Sequence, residues 1–307
     1  MTTPLVSVVV PCFNTRDCIV GSVKSALAQD AVPVEVLVID DGSTDGTPEE
    51  VERAFAGDAR VRLFRQSRNQ GPSPARNVGF RAACGQWVAL LDADDFWRPN
   101  RLSRLLEHAG GADFIADNLM AFDAMADVET GAVYSGLSDR YLTFCDFMLP
   151  QAADRHDFGY LQPIVRTDFL RRHGISYRED VRAGEDLLFN LRVLAAGGRA
   201  FYVDEPLYIY VTPVGAISRG ASPHSRSTAD MRPLIAALEE LRVEIGDRLG
   251  EEERAAFDLR LSDLRAKAPI GLFHRARAKR DYLGLMKLVL TEPVVRRKMI
   301  VRLLGSG

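Results

Sequence analysis

Residues 87–97 read Trp87-Val88-Ala89-Leu90-Leu91-Asp92-Ala93-Asp94-Asp95-Phe96-Trp97. The opening stretch is apolar without alternation, the pattern of a strand buried on both faces. Asp92, Asp94 and Asp95 then cap that strand. Carboxylates are costly to bury without a partner, so the cluster calls for water at the strand end or for a cation. Side chains two apart on a strand point the same way. Asp92 and Asp94 can therefore share one metal across the small Ala93, and hard oxygen ligands suit Mg²⁺ or Mn²⁺. A solvated Asp-rich turn is the competing reading of these residues taken alone.

Outward from this stretch, apolar runs alternate with amphipathic ones. Leu5–Val10 ends at Pro11, and Ile19, Val20, Val23, Ala26 and Leu27 follow at helical spacing. Val34–Ile39 runs into Asp40-Asp41-Gly42. Thr47-Pro48-Glu49-Glu50 predicts a helix start, with Thr47 as N-cap, Pro48 at N1 and Glu50 closing a capping box. Val61–Phe64 makes a third strand, Ser73-Pro74 opens a helix through Ala83, Trp87–Leu91 is the fourth strand, and Pro99 precedes a further helix. This β-α-β-α order predicts an α/β fold with a mostly parallel, Rossmann-like sheet and helices on both faces. Ligands of such sheets bind outside the carboxyl ends of the strands. Cys12-Phe13-Asn14, Asp40-Asp41-Gly42-Ser43 and Asp92-Ala93-Asp94 all fall at such ends, so the fold rule puts them on one rim.

The middle segment, about 112–222, is less regular. Phe201–Val203 and Leu207–Val211 read as strand pieces, and a helix spans about Asp186–Ala196, ended by Gly197-Gly198. From Ser225 the pattern is helical, with the stretch SPHSRSTAD as a linker. The expected division is a catalytic domain over 1–222 and a helical region over 223–307.

The chain has 307 residues, 47% hydrophobic and 26% charged, an ordinary globular composition. No apolar run approaches the length of a transmembrane helix, and MTTPLVSVVV lacks a basic segment, so no signal peptide is expected. The cysteines show no CxxC spacing, which fits reduced thiols and a cytoplasmic location. The net charge of -3 hides an asymmetry: residues 265–302 carry 11 Lys or Arg against two acids, Asp281 and Glu292. A basic tail on an acidic body suggests an anionic partner for the tail. No GxGxxG follows the first strand, which argues against a dinucleotide-dependent dehydrogenase.

Taken in order, VSVVVPCFN, SVKSALAQ, VEVLVIDDGSTDGT, NQGPSPARNVGF, GQWVALLDADDFWRPNRL and AGEDLLFNLRVL resemble the family 2 glycosyltransferases, an inverting group with the GT-A fold. The resemblance runs from Val6 to Arg219. It implies transfer of a sugar from a nucleotide-sugar donor, most often UDP-linked, in exopolysaccharide, capsule or lipopolysaccharide assembly. The acceptor would be a hydroxyl of a lipid-linked or glycan molecule. The QxxRW motif of processive synthases is absent, which points to one sugar per acceptor.

By position, Asp41 would accept a hydrogen bond from the nucleobase, and Pro11, Phe13 and Asn14 would line the nucleotide pocket. Arg76 would lie near the base or the diphosphate. Asp92 would reach the ribose or the metal, Ala93 would sit between the two acids, and Asp94 would be the main protein ligand of Mn²⁺ or Mg²⁺. Asp186 would be the catalytic base, with its neighbour Glu185 as the alternative. Read without the resemblance, Asp186 simply favours a helix N-terminus, Asp40 and Asp41 are turn residues, and Arg76 is a surface charge. Trp97 is expected to pack below the metal loop, and His156 and His173 to be loop residues. The loop after Tyr210-Val211-Thr212-Pro213, with Arg219 later, lacks the basic residue that often touches the diphosphate in related sequences. A non-catalytic nucleotide-sugar or carbohydrate-binding protein on the same scaffold is the other reading. It requires a lost acid or metal site, whereas Asp92-Ala93-Asp94 and Gly184-Glu185-Asp186 are both present.

In the tail, Phe273–Arg280 is basic with small apolar interruptions, followed by Leu283, Leu285, Met286, Leu288, Val289 and Leu290 and then Arg296-Arg297-Lys298. An amphipathic basic helix can lie on an anionic membrane, here the inner face of the cytoplasmic membrane. The alternatives are a cap on the catalytic domain or a contact with a second copy in a homodimer. No base-stacking motif accompanies the charges, so nucleic acid is not expected as a partner.

Overall fold

A computed structural model describes residues 4–149, 158–212 and 229–297. The first half is the expected alternation. Strands β1 (Val6–Cys12), β2 (Val34–Asp40), β3 (Val61–Arg65) and β4 (Trp87–Leu90) are interleaved with helices α1 (Ile19–Leu27), α2 (Thr47–Ala54) and α3 (Pro72–Ala82). The strands lie in the order β3-β2-β1-β4 and all pair in parallel. Val8, Val9, Val10, Val36, Leu37, Val38 and Ile39 are fully buried, which explains why these strands read as unbroken apolar runs.

Beyond β4 the sheet changes character. The two-residue β5 (Phe96–Trp97) is followed by α4 (Arg101–Leu106) and then by β6 (Phe114–Asp123), β7 (Val128–Ala132) and β8 (Arg140–Leu142). Next come α5 (Phe144–Met148), β9 (Ile164–Arg166), α6 (Thr167–Arg172), α7 (Glu185–Ala195) and β10 (Ala200–Thr212). The central path continues β4-β9-β6-β10-β5. Here β9 is antiparallel to both β4 and β6, whereas β6 and β10 are parallel. The parallel part is thus the first four strands, and the far half is mixed. The two strand pieces expected around residues 201–211 form one strand with register shifts between Val203, Pro206 and Tyr208. Pro206 has no N–H to give to a ladder, so an irregularity at that point is what the chain can accommodate.

Two local details differ from the sequence expectation. The N-cap of α2 is Gly46 in the left-handed region, and Thr47 is the first helical residue. Thr47 is drawn inward: its hydroxyl donates to Asp45 Oδ1 at 2.6 Å and accepts from the Thr15 N–H at 2.9 Å. That tie between the loops after β1 and β2 outcompetes a capping box. The third helix starts at Pro72, a residue earlier than expected.

Gly79, in α3, is where the helix meets the sheet. A Cβ there would lie 2.3 Å from Val9 Cγ1, so only glycine lets α3 sit this close to β1. Gly79→Ala is expected to cost roughly 1–3 kcal/mol through overpacking, measured as a shift in the urea midpoint. An unchanged midpoint would show that the helix can move away freely.

The C-terminal helices are α8 (Arg232–Ile245), α9 (Glu251–Ala278) and α10 (Tyr282–Thr291). Leu234, Leu238 and Leu241 of α8, with Phe257, Leu261 and Leu264 of α9, belong to the same buried cluster as the sheet. The rings of Phe144 and Phe257 lie 5.8 Å apart. So α8 and the first half of α9 are packed against the preceding region, whereas no residue of α10 is buried. Among the described residues, no helix is long and apolar enough to cross a membrane. The expected linker lies largely in 213–228, outside the described residues.

Candidate active site

The parallel strands bring the three polar clusters to one edge. Register pairs Cys12 with Asp40 and Val9 with Leu90, so Phe13, Asp41 and Asp92 each lie just past the end of adjacent strands. The Asp41 N–H donates to the Cys12 carbonyl at 2.8 Å, and the Leu91 N–H donates to the Val9 carbonyl at 3.1 Å. Asn14 adopts a positive φ of 53°. Its N–H donates to Ser43 Oγ, and its Oδ1 accepts from the Thr44 N–H, both at 2.9 Å. Asparagine tolerates this backbone better than most residues and stitches two rim loops together. Phe13 is exposed beside it, and Pro11 is half-buried within β1.

Asp40 and Asp41 have different jobs. Asp40 accepts from the Ser43 N–H at 3.2 Å, an ordinary turn contact. Asp41 accepts from the N–H groups of Gln70 and Gly71 at 2.8 and 2.7 Å. It is buried, and burial raises its pKa even though those N–H groups pull it down. Asp41 therefore fixes the backbone that leads into α3. Each of its oxygens retains a second lone pair.

The aspartate loop is not a strand extension. β4 ends at Leu90, and a turn closed by the Asp95 N–H donating to the Asp92 carbonyl at 3.1 Å holds the acids. The expected two-residue strand alternation does not apply, and each acid has its own environment. Asp95 is buried, accepts from the Tyr208 hydroxyl at 2.7 Å and from the Val211 N–H at 2.8 Å, and so anchors the loop to β10. Asp92 accepts from Arg76 Nη2 at 3.0 Å and from Gln162 Nε2 at 3.4 Å. Asp94 pairs with no Lys, Arg or His among the described residues. Burial, together with the nearby Asp92, pushes its pKa up to about 6. Its carboxylate thus has no neutralising positive charge among the described residues.

Arg76 is buried, which excludes the surface-charge reading. One nitrogen reaches Asp92; the other reaches Asp186 at 3.0 Å and Glu185 at 3.5 Å. Its guanidinium lies over the Tyr177 ring, 5.0 Å from the centroid. Three carboxylates from two parts of the chain, Asp92 after β4 and Glu185-Asp186 at the start of α7, thus meet on one cation. Gly184, in the left-handed region at φ 75°, starts α7. A Cβ there would lie 2.5 Å from Leu234 Cδ2, so glycine is required on both backbone and packing grounds. Asp186, in the first turn of α7, also accepts from the Tyr177 hydroxyl at 2.8 Å. Burial pushes its pKa up to about 7, opposed by Arg76 and reinforced by Glu185 and Asp92.

Tyr177, Gln162, Tyr208 and Arg101 escaped the sequence reading. Arg101 forms an ion pair with Asp117 at 2.7 Å with both side chains fully buried, and donates to the Gln162 carbonyl at 2.6 Å. Its guanidinium also covers the buried Trp97 ring at 4.4 Å. Trp97 is buried, and its backbone pairs with Tyr208 of β10. His173 follows α6, with its ring 4.5 Å from Phe169. His156, Pro213 and Arg219 lie outside the described residues.

Among the described residues, no group of three or more His, Cys, Asp or Glu gathers as a metal cage. The donor set at Asp94 and Asp92 instead fits an Mg²⁺-like ion, which takes one or two carboxylates and completes its shell with water and substrate phosphates.

Comparison with known proteins agrees with this architecture. The succinoglycan biosynthesis protein ExoO of Rhizobium meliloti is 41% identical over 223 residues, covering 70% of this chain and 63% of the relative. The chain thus spans less than two thirds of that protein. ExoU of the same organism is 34% identical over 262 residues, covering 82% of this chain and 72% of the relative. Among solved structures, S. aureus TarS 1-349 in complex with UDP superposes with a TM-score of 0.62 at 21% identity, covering 85% of this chain and 71% of that one. Mannosyltransferase PcManGT from Pyrobaculum calidifontis, in complex with GDP-Man and Mn²⁺, gives 0.58 at 17% identity, covering 100% and 89%. These structures share the GT-A fold expected from the sequence. With residues 7–147 matching the family model described as Glycosyl transferase family 2, and with ExoU aligned over most of both chains, this chain belongs to glycosyl transferase family 2.

Proposed function

We propose that the chain is an inverting glycosyltransferase that moves one sugar from a nucleotide-sugar donor, a UDP-sugar first among them, to a hydroxyl of a lipid-linked or glycan acceptor in bacterial polysaccharide assembly. The observation that carries this reading is the meeting of Asp92 and Asp186 on the buried Arg76. It brings the rim acid Asp92 and a carboxylate with a raised pKa onto one cation.

Each residue has a task that its surroundings support. Asp41 offers a spare lone pair to a base N–H, beside Pro11, Phe13 and Asn14. Asp94, with Asp92 next to it, holds Mn²⁺ or Mg²⁺. When bound, the ion neutralises charge on the departing diphosphate. Arg76 adds a fixed positive charge behind Asp92 and holds Asp186 in place. Asp186 takes the proton of the acceptor hydroxyl. Its raised pKa suits a general base working near neutrality, and Tyr177 and Arg76 restrain its orientation through Oδ1. Glu185 lies farther from Arg76, at 3.5 Å, and is the lesser candidate.

The reading is tested by thermal-shift titration of UDP, GDP and their sugars with and without Mn²⁺, followed by acceptor-dependent release of the nucleoside diphosphate. One nucleotide is expected to stabilise the wild type selectively, and more strongly with Mn²⁺. In Asp94→Ala the Mn²⁺-dependent part of the shift should vanish, with turnover down at least about a hundredfold, the scale of removing a transition-state charge stabiliser. A variant that keeps full turnover would remove Asp94 from the metal site.

A further inference from the structure

We infer that helix α10 is a docking element for an anionic lipid surface, and that the basic turn leading into it supplies the charge recognition. The observation is a hydrophobic face with no partner among the described residues. Tyr282, Leu283, Met286 and Leu290 are 71%, 82%, 62% and 71% exposed. At about 100° per residue these positions fall within a quarter to a third of the helix circumference, so they form one stripe rather than scattered contacts. Gly284, Leu285, Leu288 and Val289 are the half-buried positions. They take the opposite side, where α10 packs on α9. Elsewhere on these helices the large exposed apolar residues, Val243 and Leu259, stand singly.

The charges around the stripe choose the partner. Arg277, Lys279 and Arg280 lie exposed in and before the turn into α10, and none forms an ion pair among the described residues. Lys287 is exposed on the edge of the stripe, and Arg296 and Arg297 are exposed beyond the end of the helix. The local acids are Asp281, which is occupied as the helix cap through the Gly284 N–H at 2.9 Å, and Glu292. A second copy meeting this face symmetrically would press one cation cluster against another. Docking onto the acidic body of a second copy would match the charge but would set the apolar stripe against a charged surface, leaving its hydrophobic side chains without an apolar partner. An anionic lipid surface satisfies both features at once: the apolar stripe enters the interface and the cations meet the headgroups. The helix is about 15 Å long, enough to lie in the interface and too short to span a bilayer.

The test uses the full chain and flotation on phosphatidylcholine vesicles with or without phosphatidylglycerol. The wild type should float with the anionic vesicles and bind at least tenfold less to neutral ones, and added salt should weaken the binding. Arg277→Glu with Lys279→Glu and Arg280→Glu should lower anionic-vesicle affinity by roughly fivefold or more per cation. Leu283→Gln with Met286→Gln should lower it at least tenfold. These side chains are exposed, so melting temperatures should match the wild type and show that folding is intact. Equal flotation of the wild type and the Leu283/Met286 variant overturns the inference. So does a dimeric wild type that this variant converts to monomer, which would assign the stripe to a second copy. The vesicle assay needs no donor or acceptor, so its outcome is independent of the transfer chemistry.

Discussion

Asp186→Asn is expected to bind donor as the wild type does and to transfer sugar about 10²–10⁴ times more slowly, the range for losing a general base. The amide keeps the shape of the carboxylate and can still accept from Tyr177, so the fold and the donor pocket should survive. What it cannot do is take a proton from the acceptor. Single-turnover rates with saturating donor isolate this step. A variant with near-normal rates would pass the role to Glu185, and Glu185→Gln would then carry the loss. The pH dependence follows from the same environment. Burial outweighs the attraction of Arg76 and raises the Asp186 pKa to about 7. Below that value the carboxyl is protonated and cannot act as a base, so the rate should fall about tenfold per pH unit on the acid side. The acid limb should be missing from the residual activity of Asp186→Asn.

The second large effect concerns stability. Arg101→Met leaves the Asp117 carboxylate buried without its cation, and breaking such a pair on one side costs about 3–5 kcal/mol. Arg101 holds Asp117 through Nε at 3.0 Å and Nη2 at 2.7 Å, and burial already raises the pKa of Asp117 against that attraction. Urea unfolding should show the loss. Removing both charges, as Arg101→Met with Asp117→Leu, should recover much of it, because two uncharged side chains leave no unpaired ion. If the single variant costs under about 1 kcal/mol, water or a rearranged donor must reach Asp117. The double variant has a second readout. Arg101 also holds the Gln162 carbonyl, and Gln162 touches Asp92. A double variant that folds well should therefore still bind the Mn²⁺-dependent nucleotide more weakly than the wild type.

Most of the parallel half of the sheet was legible because β1, β2 and β4 are buried on both faces, so most of their residues have little choice but to be apolar. Register then followed from the fold rule, and the three polar clusters met where it put them. The far half was not legible. Phe114–Asp123 carries Asp117 and Asn118 in its middle, and polar residues there hide a strand from any apolar pattern. Both acids of the Gly184-Glu185-Asp186 stretch proved to face Arg76, although by spacing alone they were equally helix-start residues.

The sequence by itself determined the alternation of strands and helices, the edge of the sheet at which the polar clusters gather and the family, because these depend on periodicity and on short motifs set along the chain. Only the tertiary structure decided which acid does what. Arg76 has the same composition as a surface arginine until helix α3 buries it between Asp92 and Asp186. Asp92, Asp94 and Asp95 look alike in sequence; Arg76 takes one, Tyr208 and the Val211 N–H take another, and Asp94 has no Lys, Arg or His partner among the described residues. The physical reason is that a carboxylate's behaviour is set by its partners and its exposure, and here those come from residues up to 116 positions away.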